Sequence, residues 1–252
     1  EIRNVFTLKH PHIVGATDYG EASNIHYYVM EYVNGRTLDK MIKEMEQIPE
    51  RECARIVAHI ADALAYADSK HIVHRDIKPS NILLDGEGVV KICDFGISKS
   101  LGSATLTQTG YGVGSPIYVS PELVTGEREI DIRSDIYSLG VTFYEMATGR
   151  TPFEGETPHA IMTRRLKDTP PHPTRYAPGL SSRTCSIILK MLAVRPESRY
   201  QTPEDVVSAL TPIMNGEQGN EPPDKALRLP VRSSARGMTR RGGLPHPSRS
   251  WM

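Results

Sequence analysis

The stretch HIVHRDIKPSNILLDGEGVVKICDFG, residues 71–96, decides the fold. It begins with a polar loop, and Pro79 within that loop rules out a continuing helix. Residues 81–84 then predict a short outgoing strand, and residues 89–92, which alternate or run apolar, predict its return strand. The Asp-Gly-Glu-Gly sequence between the two strands has the residue types of a hairpin turn. The sequence therefore predicts a polar loop followed by a β-hairpin.

This hairpin determines where three polar side chains lie. Asp94 follows the return strand and is expected near Asn81, which begins the outgoing strand, while Asp76 stays on the preceding loop. Two carboxylates and an amide at these spacings are suited to holding a metal-bound phosphate beside a hydroxyl group. Phosphoryl transfer needs an acid that orients the hydroxyl, oxygen ligands for magnesium and a cation near the transferred group. The pattern indicates that chemistry.

The motif HRDxKxxN at residues 74–81, followed by DFG at residues 94–96, resembles the catalytic loop and the metal-binding motif of protein kinases. Ser-Pro-Glu at residues 120–122 is similar to the motif that closes the substrate-binding loop of that family. The resemblance covers residues 1 to about 214 and is greatest to bacterial receptor-type serine/threonine kinases of the eukaryotic-like class. It implies an α+β, protein-kinase-like fold with a complete helical large lobe and only part of the small β lobe.

The resemblance assigns roles to four residues of these motifs. Asp76 would orient the substrate hydroxyl and accept its proton, a role typically worth about 10²–10⁴ in rate. Lys78, the residue type found in the Ser/Thr-specific branch, would reach the γ-phosphate of ATP. Asn81 and Asp94 would supply oxygen ligands to Mg²⁺, a hard ion that keeps several waters. ATP and Mg²⁺ are therefore the expected cofactors.

The segment VMEYVNG resembles the hinge between the two kinase lobes, where an adenine ring needs a flat apolar slot with backbone groups at its edge. Met30 would be the gatekeeper, and the backbone of Glu31 and Val33 would meet the base. Leu83 would form the floor of the slot. Cys93 would line it, with a thiol that can be alkylated there; the alternative, a buried and inert thiol, stays open. An apolar strand residue is more often plain core, so these assignments depend on the neighbouring motifs.

Residues 97–114 are rich in Gly, Ser and Thr and lack periodicity, which predicts a functional or disordered loop. By resemblance, Ser115 belongs to the substrate-binding loop and keeps the hydroxyl that the family usually has as threonine. Thr107 and Thr109 alternate as the autophosphorylated threonines of bacterial receptor-type kinases do. A phosphate on either would find a guanidinium partner in Arg75. The alternative, that these are solvated loop hydroxyls, stays open.

A few residues are expected to hold the large lobe together. By resemblance, Asp135 near the start of a helix would hold the backbone of the His74-Arg75 turn. Glu122 would pair with Arg199, and a buried ion pair of this kind fixes register more surely than it adds stability. Sequence patterns predict strands at residues 13–19 and 25–32 and a short helix capped by Thr37. They also predict longer helices at residues 51–70, 159–167 and 181–194, and two more helices that begin at Ser134 and at Thr202.

The composition of the chain limits which binding partners and which cellular location are expected. The 252 residues include 30 basic and 30 acidic side chains, so no net charge favours nucleic acid or membranes as partners. Three cysteines lie far apart, which favours reduced thiols in the cytoplasm over a disulfide framework. No run of about 18 apolar residues is present, so no membrane segment is expected. Protein substrates, and a dimer for autophosphorylation, are the partners that the resemblance implies.

Three segments are expected along the chain. Residues 1–32 would be a partial small lobe, residues 33–214 the large lobe with its catalytic and activation loops, and residues 215–252 a disordered basic tail. Glu1 matches a small-lobe glutamate that pairs with a lysine in the family. That lysine and the glycine-rich phosphate loop would lie upstream, so the chain as given is expected to be N-terminally truncated and inactive by itself.

The function expected from the resemblance is transfer of the ATP γ-phosphate to Ser or Thr hydroxyls of proteins. Two alternatives stay open. One is a non-catalytic interaction module built from a truncated kinase lobe, which a glycine-rich loop and a lysine upstream of Glu1 would exclude. The other is a small-molecule kinase of the antibiotic-phosphorylating type, which shares an HxDxxxxN loop but lacks the Ser-Pro-Glu segment and its arginine partner.

Overall fold

The computed structural model describes residues 7–22, 25–95, 117–127 and 130–216. The strands are β1 (Ala16–Ala22), β2 (Ile25–Met30), β3 (Gly35–Thr37), β4 (Ile82–Asp85) and β5 (Val90–Ile92). The helices are α1 (Leu38–Met45), α2 (Glu50–Asp68), α3 (Pro121–Thr125), α4 (Ile132–Thr148), α5 (Pro158–Lys167), α6 (Ser182–Met191) and α7 (Pro203–Met214).

The hairpin predicted from residues 71–96 is confirmed. β4 pairs antiparallel with β5, with Ile82 opposite Ile92, and β3 adds a third strand on the other side of β4. Both isoleucines are fully buried, because the two-residue period of a strand turns alternate side chains toward the core. The backbone N–H of Cys93 donates to the carbonyl of Asn81 at 2.9 Å. The ends of the two strands therefore meet where the polar residues of the site emerge.

The sheet formed by β1 and β2 corrects the predicted strand boundaries. The sequence predicts strands at residues 13–19 and 25–32, whereas β1 begins at Ala16 and β2 ends at Met30. The backbone of residue 13 instead forms a parallel bridge with Ile92 of β5. The segment before β1 is thereby attached to the hairpin, and the small sheet starts only where that attachment ends.

The core of the large lobe is helical. The stripe predicted at residues 51–70 is confirmed as α2, whose apolar side chains are buried. α4 is buried on nearly every side, as expected of a helix at the centre of a lobe. It begins two residues before the predicted Ser134, because Asp131 takes the N-cap position and accepts from the N–H of Arg133. Thr37 holds the N-cap position of α1 but makes no capping hydrogen bond with its side chain.

The predicted fold class is confirmed as α+β: two small antiparallel sheets accompany a larger helical unit. The expected basic tail lies outside the described residues from position 217 onward, and so does Glu1. Within the described ranges, no helix is both long enough and apolar enough to cross a membrane. Cys53, Cys93 and Cys185 are all free and buried.

Candidate active site

The loop that carries the HRD motif is held from α4. Asp135, in the first turn of that helix, is fully buried and accepts the backbone N–H groups of His74 and Arg75, each at 2.7 Å. Arg75 has a φ of 65°, in the left-handed region that non-glycine residues rarely adopt. Hydrogen bonds to a buried carboxylate are among the stronger ones, so they can maintain this backbone. The structure thus brings Asp135 to the turn where the resemblance placed it.

His74 connects this loop to the end of β5. Its Nδ1 lies 3.2 Å from the backbone N–H of Asp76 and accepts from it, so Nε2 carries the ring proton and donates to the Cys93 carbonyl at 2.9 Å. Burial lowers the pKa of His74 from 6.5 to about 4, which keeps the ring neutral at physiological pH. The ring also packs against Phe95, with the centroids 4.5 Å apart.

Asp76, Lys78 and Asn81 form one hydrogen-bonded group. The Oδ2 atom of Asp76 accepts from Lys78 Nζ at 2.7 Å and from Asn81 Nδ2 at 3.1 Å. The same amide nitrogen also donates to the backbone carbonyl of Asp76 at 2.9 Å. Two donors on Oδ2 fix the orientation of the carboxylate and leave Oδ1 as the atom that can accept from a substrate hydroxyl. The side-chain oxygen of Asn81 remains available as a ligand.

Asp94 stands at the end of β5 with a φ of 63°. Its Oδ1 accepts a hydrogen bond from the Tyr28 hydroxyl of β2, and its Oδ2 lies 3.5 Å from the Cys93 thiol. Tyr28 was not among the residues that the sequence singled out. A signal for it existed, because Tyr28 is two positions before Met30, and side chains two apart on a strand share a face.

The donor set suits magnesium bound together with a nucleotide. Asp94 offers a carboxylate and Asn81 an amide oxygen, both hard ligands. In the part of the chain that the structure describes, no group of three or more His, Cys, Asp or Glu side chains could hold a metal by itself. Magnesium in nucleotide sites is commonly held by one or two protein ligands plus substrate phosphates, so the residues present fit the ion that the resemblance implies.

A pocket lies between the small sheet and the end of the hairpin. Two of the residues predicted for the adenine slot, Met30 and Cys93, line it. The other lining residues are Ile13, Val14, Ala16, Tyr28, Asp94 and Phe95. The predicted residues Glu31, Val33 and Leu83 are not among them.

The side chain of Glu31 contacts Lys91 and Gly15 and does not line the pocket, unlike that of its neighbour Met30. Its Oε1 accepts from Lys91 Nζ at 2.5 Å and from the Gly15 N–H at 3.1 Å, and the bond from Lys91 lowers the pKa of its carboxyl. Its backbone N–H donates to the Gly15 carbonyl at 2.9 Å. Glu31 therefore ties the chain after β2 to β5 and to the start of the small sheet.

The end of the predicted substrate-binding loop is held by a buried arginine that no sequence pattern singles out. Arg165 of α5 is fully buried and donates through its two terminal nitrogens to the carbonyls of Ile117 and Val119. Between them, the Tyr118 hydroxyl donates to Oε2 of Glu145 on α4 at 2.6 Å. α4 and α5 together hold residues 117–119 in place.

The ion pair predicted between Glu122 and Arg199 is present. Both terminal nitrogens of Arg199 donate to the carboxylate of Glu122, each at 2.8 Å, and both side chains are almost completely buried. Three other predicted site residues, Thr107, Thr109 and Ser115, lie outside the described residues.

Comparison with known proteins agrees with this geometry. The serine/threonine-protein kinase PrkC of Bacillus subtilis is 40% identical over 221 residues, which are 88% of this chain and 34% of that protein. The serine/threonine-protein kinase PknB of Mycobacterium tuberculosis is 36% identical over 245 residues, 94% of this chain and 39% of that protein. The chain thus spans little more than a third of the length of these relatives.

A solved structure, that of Rad53 1–466 in complex with AMP-PNP, is similar to the chain with a TM-score of 0.70 and 28% identity. The match covers 84% of this chain and 53% of that one. The family model for the protein kinase domain matches residues 1–209. On this match, and on the motifs whose geometry is given above, the chain belongs to the protein kinase family.

Proposed function

We propose that the protein to which this chain belongs transfers the γ-phosphate of ATP to Ser or Thr hydroxyls of protein substrates. The observation that carries the proposal is the group around Asp76, in which Lys78 and Asn81 occupy one carboxylate oxygen and leave the other open. The similar curated proteins are named serine/threonine-protein kinases, which supports the same conclusion.

The chemistry follows from these atoms. A substrate hydroxyl would donate to Oδ1 of Asp76, which orients its oxygen toward the γ-phosphorus and takes the proton. The new O–P bond would form as the bond from that phosphorus to the bridging oxygen breaks, so that ADP leaves with this oxygen. Lys78 Nζ, 2.7 Å from the other carboxylate oxygen, supplies positive charge beside the transferred group. Asn81 and Asp94 would hold Mg²⁺, which neutralises phosphate charge when bound.

The pocket beside β2 is the proposed site of the nucleotide base, with Met30 and Cys93 on its wall. Outside the lining of this pocket, the Glu31 carbonyl and the Val33 backbone would meet the edge of the base, and Leu83 would form the floor beneath it. Asp94 lines the same pocket, so the phosphates of a nucleotide bound there would lie toward Asp94.

Regulation and location form part of the same proposal. Phosphorylation of Thr107 or Thr109, in a dimer of two such chains, would place a phosphate within reach of Arg75 and order the loop that Ser115 ends. The free thiols of the chain suit the reducing cytoplasm, where ATP is also abundant. Mass spectrometry of the autophosphorylated protein tests the sites, and phosphate found only elsewhere would contradict them.

The central test compares two isosteric substitutions in the complete gene product. Asp76→Asn should lower kcat by about 10²–10⁴ with little change in nucleotide affinity, because Asp76 faces the hydroxyl. Asp94→Asn should instead weaken nucleotide binding in the presence of Mg²⁺, because Asp94 faces the metal. Asp18→Asn, the same change on an exposed residue of β1, is the matched control and should alter neither quantity.

Two results would contradict the proposal. Equal loss of nucleotide affinity in the Asp76 and Asp94 variants would remove the division of roles. A folded wild-type protein that binds nucleotide but transfers no phosphate to any protein would favour the non-catalytic interaction module instead.

A further inference from the structure

Tyr28 and Asp94 meet across the pocket although 66 positions separate them in the chain. Tyr28 lies on β2 of the small sheet, Asp94 follows β5 of the other sheet, and both side chains line the pocket. The Tyr28 hydroxyl donates to Oδ1 of Asp94. A tyrosine hydroxyl is protonated at neutral pH, so it remains a donor there.

Asp94 needs support of this kind. Its backbone is in the left-handed region, with a φ of 63°, which aspartate tolerates better than most residues but does not prefer. Its Oδ2 has the Cys93 thiol at 3.5 Å, and a thiol is a weak donor. Among the described residues, Tyr28 therefore provides the stronger of the two hydrogen bonds that orient this carboxylate.

The bond to Tyr28 is compatible with metal binding. An ionised carboxylate has two oxygens and about four acceptor positions, so the hydroxyl on Oδ1 and the weak thiol donor on Oδ2 still leave Oδ2 an acceptor position that can face a cation. Holding one oxygen restricts rotation about the carboxylate and points the other in a fixed direction. A ligand fixed in this way binds its ion with less loss of conformational freedom.

We propose that Tyr28 is a positioning residue for the metal-binding carboxylate: its hydroxyl holds Asp94 by Oδ1 so that Oδ2 faces the magnesium ion that accompanies the nucleotide. The inference rests on the proposed function, in which Asp94 is a metal ligand. It adds that Tyr28, on the sheet formed by β1 and β2, sets the direction of the Asp94 carboxylate. The hydrogen bond between them also connects this sheet to the end of β5.

The test is Tyr28→Phe, which removes the hydroxyl and keeps the ring. Affinity for ADP is measured by calorimetry with Mg²⁺ and with EDTA. We expect the affinity in Mg²⁺ to fall about ten- to a hundredfold, the range for one hydrogen bond to a charged group, and the affinity in EDTA to stay unchanged. A purely structural role in the pocket wall would lower both affinities together.

Tyr27→Phe is the matched control. Tyr27 is the next residue on the same strand, its side chain points to the opposite face, and its ring packs over Gly20 of β1. The same loss of a hydroxyl there should change neither affinity.

Asp94→Asn provides the reference for the metal effect. If Asp94→Asn loses affinity only in Mg²⁺ while Tyr28→Phe binds as tightly as the wild type or more tightly, the positioning role of Tyr28 is overturned and the proposed function stands. If Asp94→Asn also leaves the Mg²⁺-dependent affinity intact, Asp94 is not a metal ligand and both proposals fail.

Discussion

At the scale of single residues, the proposed site contains two backbone conformations that residues with a side chain rarely adopt. Arg75 and Asp94 both have left-handed φ angles, near 65° and 63°. Such positions cost on the order of 1–3 kcal/mol each and persist where surrounding contacts determine them. Asp135 holds the first through two backbone N–H groups, and Tyr28 contacts the carboxylate of the second. The residues that set the geometry thus lie on different elements from the residues that we propose do the chemistry.

Cys93 shows how the structure changes an expectation about one residue. The sequence places it beside the nucleotide as a thiol that can be alkylated. In the structure only 8% of its surface is exposed, and burial, with Asp94 next to it, raises the pKa of the thiol from 9.0 to about 12. The thiolate is the reactive form, so burial and the raised pKa favour the alternative of a buried, inert thiol.

We therefore expect the folded protein to resist alkylation at Cys93. At pH 8, a thiol with a pKa near 12 has about a thousandfold less thiolate than one near 9. Iodoacetamide should label Cys93 far more slowly in buffer than in urea, and the rate should rise as the pH is raised toward 12. Peptide mass spectrometry after timed labelling measures both rates. Labelling at the same rate in buffer and in urea would show that the thiol is neither buried nor shifted.

At the scale of elements, local patterns predicted the hairpin and the main helices, because strand period, turn residues and helical stripes are all short-range signals. The same patterns misplaced the start of β1, since pairing of Ile13 with Ile92 is a contact between distant parts of the chain. Tyr28 could have been found from its spacing to Met30. Arg165 could not, because nothing in the sequence of α5 indicates that one of its arginines is buried.

Arg165 gives a prediction for α5. Replacing it by Met keeps the length of the side chain but leaves the carbonyls of Ile117 and Val119 without their donors, at a cost of about 1–3 kcal/mol. Because these residues belong to the proposed substrate-binding loop, we expect KM for a protein substrate to rise about tenfold while nucleotide affinity is unchanged. Steady-state kinetics with each substrate varied in turn measure the two quantities.

The neighbouring residue provides the control. Arg164 is exposed and donates to the Glu154 carbonyl at 2.9 Å, away from the loop. Arg164→Met should leave both kinetic constants within twofold of the wild type. If the two variants raise KM equally, the loss of charge on α5 and not the support of the loop would be responsible.

At the scale of the whole molecule, the Glu122 and Arg199 pair joins parts of the chain that are far apart. The five N–H groups of Arg199 are matched by five acceptor contacts at 2.8 Å: two oxygens of Glu122 and the carbonyls of Arg133, Ala193 and Val194. α3, which follows the proposed substrate-binding loop, therefore meets the start of α4 and the chain after α6 at one side chain.

This pair also sets a dependence on pH. Burial would raise the pKa of Glu122, but the bonds from Arg199 outweigh it and hold the pKa below 4.5. A carboxyl whose pKa is lowered by folding stabilises the folded state above its unfolded pKa. That contribution to stability is lost as the pH falls through the pKa of the carboxyl in the folded state. Acid below pH 4.5 should therefore weaken the junction.

Removing the negative charge at pH 7 should have a larger effect on the whole fold. Glu122→Gln leaves the guanidinium of Arg199 buried without its counter-ion, and breaking a buried pair in this way costs about 3–5 kcal/mol. Glu44→Gln is the matched control, because Glu44 pairs with Arg36 on the surface and its side chain is 62% exposed; exposed pairs contribute about 0–1 kcal/mol. Urea unfolding of the three proteins measures the free energies of unfolding. Equal small losses in both variants would mean that water reaches Arg199 and that the junction does not hold the substrate-binding loop to the helical core.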